Sequence, residues 1–349
     1  MILFVHFQEN YDIKYWNLSM SSIFVIVSEQ CNLDCDFCCI GRPKNNASLD
    51  FDAFLSWFHH FWYDDSHIIN FTGGEPILYV REIFNVIKSI KYPKIRYDIS
   101  TNLTYNLLPE IIDVLESCTV YTSWDPVHLR FKSQNNFEVW KENCKFIKPK
   151  TVAVILTNDV LEYDPKKLFE DFVSWSIDCI EFWYLCPVGC AQNIKLPLWH
   201  DIDDWLSRAY DVRLKELKVN SFDIILDCLQ TQKSSKSNEN LIQVDYNGMI
   251  NIPPTNEGIY QFPKQLVKVN NIKEKNIFSI SENIFDKTAY NYNNIEYVKN
   301  LVPINCRICW FFRYCGGKYF HKELKDFCAF PKKLFKKIAN DNNIVIRDV

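Results

Sequence analysis

Several classes of protein are excluded by what the sequence lacks. No apolar run approaches the ~20 residues of a membrane-spanning helix. Met1 to Gln8 is apolar but has no basic segment and no small-residue cleavage site, so it reads as a strand and not as an export signal. Long basic runs are missing, and a net charge of −4 with mixed signs disfavours nucleic acid as the main partner. No internal repeat appears beyond an alternation of strand-like and helix-like segments. An obvious catalytic histidine is missing too, since His59-His60 lies inside a helical stretch. Together these absences predict a cytoplasmic chain without a membrane or nucleic-acid partner.

Cysteine, by contrast, is plentiful: fourteen in 349 residues. A disulfide framework suits short exported chains, so clustered spacings here point to metal. The cysteines form two groups, Cys31–Cys39 and Cys306–Cys328, with six scattered between. The 15% aromatic share reads as a thick aromatic core, with a cavity lining as the alternative.

From about residue 22 to 217, short β-rich runs alternate with amphipathic stretches. Strands are predicted at Ser22–Ser28, His67–Phe71, Ile95–Ser100, Thr119–Ser123, Thr151–Thr157 and Cys179–Cys186. Helices are predicted at Phe51–Trp62, Ile77–Ile90, Pro109–Glu116, Phe137–Ile147, Pro165–Trp175 and Ile202–Leu217. Asp50 and Asp164 supply caps, the latter with Pro165 at the first helical position. Six βα units in series imply an α/β parallel sheet, doubly wound or curled into a partial barrel, with its active site in the loops after the strands. Residues 1–21 are read as a strand extension, 22–217 as the barrel and 218–349 as a smaller C-terminal domain. Within the last, Gln243–Ile252 reads as a hairpin around Asn247-Gly248, and Lys332–Asn340 as a basic helix with a solvated face.

Cys31-Asn-Leu-Asp-Cys35-Asp-Phe-Cys38 directly follows the first strand. A cubane iron–sulfur cluster normally takes four thiolates, one per iron, so three leave one iron open to an outside ligand. A structural zinc site is the rival, but it wants four ligands in short pairs. Cys39 adjoins Cys38 too closely to reach the fourth iron and reads as a packed small residue. Phe71-Thr72-Gly73-Gly74-Glu75-Pro76 follows the second strand. Its glycines let a ligand approach the backbone, and its carboxylate can hold an ammonium group; a plain turn is the alternative.

These two motifs, on adjacent strand ends, resemble those of the radical S-adenosylmethionine (SAM) superfamily. Phe37, between the second and third cysteines, is aromatic as in many members. The resemblance implies a partial (β/α)6 TIM-like barrel in which Cys31, Cys35 and Cys38 hold a [4Fe–4S] cluster and SAM chelates the open iron. Gly73, Gly74 and Glu75 would then hold the methionyl amine. Looser matches are Thr101 and Asn102 at the end of the third strand, Ser123 and Asp125 at the fourth, Arg130 beyond it, and Asn158 after the fifth. The implied chemistry is electron transfer from a flavodoxin- or ferredoxin-type donor into the cluster and on to SAM. Methionine and a 5′-deoxyadenosyl radical result, and the radical abstracts hydrogen from a substrate C–H bond.

Cys306, Cys309 and Cys315 form C-x2-C-x5-C, and Cys328 follows. The pattern resembles the C-terminal SPASM (twitch-like) region of such enzymes, where two auxiliary clusters are usual. Two ligands of the first are missing here, with Tyr319 and Pro253 at their positions. The resemblance therefore implies one auxiliary [4Fe–4S] cluster on Cys306, Cys309, Cys315 and Cys328, with zinc as the alternative. SPASM proteins often modify peptides, so the expected substrate is a peptide and the expected product a thioether, ether or C–C crosslink. Peptide epimerisation (with Cys186 or Cys190 returning hydrogen), a small-metabolite substrate and a non-catalytic iron–sulfur or zinc module remain alternatives. Pro254, where sulfatase maturases carry an Asp, lowers that reading. The first strand begins near residue 22, which leaves no room for a leader-gripping N-terminal domain; a leader would need a separate binding protein or direct docking.

Overall fold

Six runs rich in β-branched and aromatic residues form the strands β1 (Ser21–Ile26), β2 (His67–Thr72), β3 (Ile95–Ser100), β4 (Thr119–Trp124), β5 (Thr151–Leu156) and β6 (Cys179–Tyr184). They lie parallel and in chain order, and the two-residue β7 (Lys218–Val219) continues the series. The computed structural model describes residues 21–41, 47–61, 67–185, 189–231, 241–251, 275–276 and 331–346. All six predicted strands are present, each within two residues of its expected ends.

Between the strands lie α1 (Phe51–Phe61), α2 (Val80–Ser89, entered through a 3-10 turn at Pro76–Tyr79), α3 (Pro109–Glu116), α4 (Gln134–Ile147), α5 (Asn158–Glu162), α6 (Pro165–Ser174) and α7 (Trp199–Asp211). Local chemistry sets their starts. Asp50 accepts from Ala53 N at 2.9 Å, Ser133 from Asn136 N at 3.1 Å and Asp164 from Lys166 N at 3.3 Å.

Alternation along the strands puts Ile23, Val25, Ile69, Phe71, Val152 and Val154 on one face, where they pack with Trp57, Phe58, Trp140, Phe172 and Trp205 of the helices. The intervening positions, among them Asn70, Asp98, Ser100, Ser123 and Glu181, occupy the other face. One side of the sheet is thus an apolar core under helices and the other is largely polar. This is the open, partial TIM-type barrel expected from the sequence.

The chain departs from expectation after α7. A helix is predicted as far as Leu217, yet α7 ends at Asp211, β7 follows, and α8 (Asn220–Thr231) packs against β6. β8 (Leu241–Val244) then joins the same sheet, parallel to β1 on its free side, and β9 (Met249–Asn251) and β10 (Lys275–Asn276) add antiparallel to it. The predicted Asn247-Gly248 turn links β8 and β9, with Gly248 at φ 76°. The basic helix, α9 (Lys332–Asp341), buries Leu334, Phe335 and Ile338 against α7 and α8 and turns Lys332, Lys333 and Lys336 outward. No helix among the described residues is long and apolar enough to cross a membrane.

Candidate radical SAM site

The three-cysteine loop leaves β1 and is fastened by backbone hydrogen bonds to the ends of other strands. Val27 N donates to Thr72 O at 2.9 Å, Gly74 N to Ser28 O at 2.7 Å and Glu75 N to Gln30 O at 2.7 Å. Asp36 N donates to Leu129 O at 3.1 Å, which ties the loop to the segment after β4, and Cys190 N donates to Cys38 O at 2.7 Å from the 3-10 turn (Gly189–Asn193) after β6. Lys132 adds an ion pair to Asp36 at 2.6 Å.

The glycines serve this fastening. A Cβ on Gly74 would stand 2.0 Å from Gln30 O, and one on Gly73, at φ 134°, would stand 2.5 Å from Ser28 O. Gly189, at φ 60°, would place a Cβ 2.4 Å from Cys39 O. Only eight glycines occur in the whole chain, so Gly189 was a legible signal that sequence reasoning passed over.

Glu75 is buried, and its carboxylate is fully engaged within the protein. Oε1 accepts from Thr101 Oγ1 at 2.7 Å and Ile77 N at 3.1 Å, and Oε2 accepts from Asn102 N at 2.7 Å. Thr101 Oγ1 also meets the Tyr105 hydroxyl at short range. Burial pushes the Glu75 carboxyl up to about 7, against the pull of these donors. Asp125 is likewise enclosed: Oδ2 accepts from Arg130 Nε at 2.6 Å and Oδ1 from Ile155 N at 3.0 Å. The Arg130 guanidinium lies 5.0 Å from the centre of the Phe37 ring, and Phe37 is itself buried with Leu185 and Ala191. Thr101 and Asn102 are buried beside Glu75, while Ser123 is half-buried on the polar face of β4. Asn158 opens α5 and donates from Nδ2 to Lys195 O at 2.7 Å, so it ties the end of β5 to the segment after β6.

Cys31, Cys35 and Cys38 come together on one loop and feel one another's charge. Burial pushes the Cys31 thiol up to about 12 and the Cys35 thiol up to about 11. Loading metal therefore displaces protons from both. A hydrogen bond from Cys39 pulls the Cys38 thiol down. Among the described residues, no group of three or more His, Cys, Asp or Glu side chains converges as ligands of a single ion would. A cubane instead spreads its thiolates over separate irons, and a loop carrying three thiols fits that donor set. Asn32 and Thr104, which flank this loop, were not anticipated from sequence; isolated polar residues in turns carry no pattern. Cys186, Cys306, Cys309, Cys315 and Cys328 lie outside the described residues.

An open parallel α/β barrel with a three-thiol loop at the end of its first strand is an α/β frame that offers three thiols to a metal cluster. Residues 25–161 match the model of the Radical SAM superfamily, so the chain carries a radical SAM domain and is an enzyme; the superfamily uses SAM and a [4Fe–4S] cluster. No curated protein sequence matches it. Among solved structures, native anSMEcpe with bound AdoMet is similar at 18% identity and a TM-score of 0.67, covering 92% of this chain and 97% of its own. The complex of anSMEcpe with AdoMet and the Cp18Cys peptide gives 17% and 0.65, covering 93% and 98%. Streptococcus suis SuiB bound to precursor peptide SuiA gives 14% and 0.55, covering 80% and 67%. At these identities the likeness establishes the fold.

Proposed function

We propose that the enzyme modifies a peptide by SAM-derived radical chemistry and forms a thioether, ether or C–C crosslink in it. The observation that carries this reading is the three-thiol loop clamped at the carboxyl ends of the strands. The fold is shared, moreover, with structures holding AdoMet, the Cp18Cys peptide and precursor peptide SuiA. Cys31, Cys35 and Cys38 would hold the cluster, which supplies the electron that splits SAM. Because three donors already engage the Glu75 carboxylate, the backbone of Gly73 and Gly74 is the part of that motif left to meet the methionyl ammonium. Arg130, stacked on Phe37, offers a cation for the SAM carboxylate, while Ser123 and Asn158 stand at the ends of β4 and β5. Cys306, Cys309, Cys315 and Cys328 would hold an auxiliary cluster that accepts the electron left when the crosslink closes.

Anaerobic reconstitution with iron and sulfide counts, beside a SAM-cleavage assay, tests the reading. Two cubanes predict about eight irons per chain, falling to about four when Cys31, Cys35 and Cys38 are replaced by Ala. SAM cleavage should then vanish. A chain that binds iron but never cleaves SAM under strong reductant refutes the reading. Crosslinking removes two hydrogens from a precursor peptide.

Epimerisation is the second reading, favoured by the docking of Cys190 on Cys38 through its backbone N–H. It would leave the peptide mass unchanged in H2O and introduce one deuterium in D2O.

A further inference from the structure

Cys31 differs from Cys35 and Cys38 in what meets its sulfur. Its Sγ receives the backbone N–H of Leu33 at 3.4 Å and the side-chain amide of Asn102, from the end of β3, at 3.6 Å. The sulfurs of Cys35 and Cys38 lie against carbonyl oxygens, Arg130 O at 3.6 Å and Gly41 O at 3.8 Å. Cys38 is also met by its own loop and by Cys39. Cys31 Sγ also lies 4.0 Å from Asn32 Oδ1, and a side-chain amide reaches it from another strand end.

Backbone groups fix the orientation of that amide. Thr104 N can only donate, and it donates to Asn102 Oδ1 at 2.9 Å, joined there by Thr104 Oγ1 at 2.7 Å. Asn102 Nδ2 must therefore point the other way, toward Asn32 Oδ1 at 2.7 Å and Cys31 Sγ. The Asn32 amide is fixed in turn, because Thr104 O can only accept and takes Asn32 Nδ2 at 3.3 Å, with Thr104 Oγ1 at 3.0 Å. Asn102 N is pinned on Glu75 Oε2 at 2.7 Å. The residue is buried.

We infer that Asn102 is a positioning residue for the iron–sulfur cluster: latched by Asn32 and Thr104, its amide donates to the Cys31 thiolate and raises the cluster's affinity for an electron. The inference rests on the reading of Cys31 as a cluster ligand. Reduction adds negative charge to the iron–sulfur unit and its thiolates, so an N–H donor stabilises the reduced state more than the oxidised one. Removing the donor makes the cluster harder to reduce. The spacing of Asn32 and Asn102 from the cysteines carries no sign of this role; it emerges from the registers of β1 on β2 and of β2 on β3.

The test is a redox titration of the reconstituted full-length protein, followed by the cluster's electron paramagnetic resonance signal without SAM. The cluster is identified as the one whose signal changes when SAM is added. Asn102→Asp is nearly isosteric, loses the donor and adds a negative charge. At a fixed potential its reduced-to-oxidised ratio should fall about tenfold or more, a shift of about 59 mV for one electron. Asn32→Ala keeps the donor but frees it to rotate, and should shift the ratio in the same direction by less. Unchanged ratios at full iron content would overturn the inference. So would loss of iron in both variants, since the latch would then build the loop without tuning the cluster. A shift seen only with SAM present would also overturn it, because Asn102 would then be touching SAM. A wild-type signal that ignores SAM would instead overturn the cluster reading, on separate grounds.

Discussion

Gly74→Ala is the sharpest test of how the cysteine loop is held. A Cβ there would meet three backbone atoms, Gln30 O at 2.0 Å, Gln30 C at 2.5 Å and Glu29 O at 2.6 Å, with no flexible side chain to give way. The chain at Gln30 would have to retreat by about 1.4 Å to reach ordinary contact at 3.4 Å. Such a retreat breaks Gly74 N to Ser28 O and Glu75 N to Gln30 O, both 2.7 Å. Overpacking costs about 1–3 kcal/mol and each lost hydrogen bond about 1 kcal/mol, so the substitution should cost about 3–5 kcal/mol. That is a large part of the 5–15 kcal/mol of a typical fold. Cys31 directly follows Gln30, so iron uptake by the first cluster should fall along with stability. Urea melts of the metal-free protein and iron counts after reconstitution measure the two effects. Gly41→Ala is the comparison: among the described residues its Cβ meets nothing nearer than 3.8 Å, although φ is 84°, and strain alone should cost about 1–2 kcal/mol. If Gly74→Ala melts and binds iron like Gly41→Ala, the strand-end clamp is not what holds the loop.

Three further outcomes are expected. Asp125→Asn leaves the buried Arg130 guanidinium without its counter-charge and should cost about 3–5 kcal/mol in urea melts, while the double change Asp125→Leu with Arg130→Met should cost less; equal costs would refute the pairing. The folded Glu75 carboxyl, pushed up to about 7 from 4.5, keeps a proton that the unfolded chain releases, so its contribution to stability should fall as pH rises from about 4.5 to 7, by at most about 3 kcal/mol. Melts of metal-free Glu75→Gln across that range should be flatter than those of the parent, and identical slopes would contradict the assignment. Asp203→Ala removes the carboxylate on α7 that accepts from Lys333 N at 2.8 Å and Leu334 N at 2.9 Å, a cap lent to α9 by another helix. The loss should be about 0.5–2 kcal/mol, with amide exchange rising first in α9.

The barrel was legible because its signals are local. Strand runs alternate with capped helices, and the parallel order follows from six βα units in series. What escaped depends on pairing at a distance. β8 is four residues with no marker of its partner, and its place beside β1 follows only from closing the free side of the sheet. α8 was missed because it begins at Asn220, three residues beyond the expected helix end at Leu217, with only the two-residue β7 to mark the break. At the site, Cys31, Cys35, Cys38, Gly73, Gly74 and Glu75 were visible from spacing. Their physical roles were not all so. The glycines, expected to give a ligand room, also make room for the backbone of residues 28–30. Glu75, expected to hold an ammonium group, also joins the ends of β2 and β3.

Those findings share a cause. A radical reaction asks the protein for position more than for acid–base chemistry, because the cofactor performs the hard step. The cysteine loop has little regular structure of its own, so its position must come from neighbours. It receives them from the ends of β2, β3, β4 and β6: Gly74 and Glu75, Asn102, Leu129 and Cys190. Most of these contacts run through backbone atoms, which do not depend on side-chain identity and leave no mark in a sequence. The side chains that do take part, Glu75, Asn102 and Asp125, are buried and direct their polar atoms at other protein groups. A site built this way tolerates change at its rim and fails when a strand end moves. Substitutions at Gly74 or Gly189 should therefore damage cluster loading more than substitution of the half-buried Ser123, although Ser123 stands at the end of β4, where a SAM contact is expected.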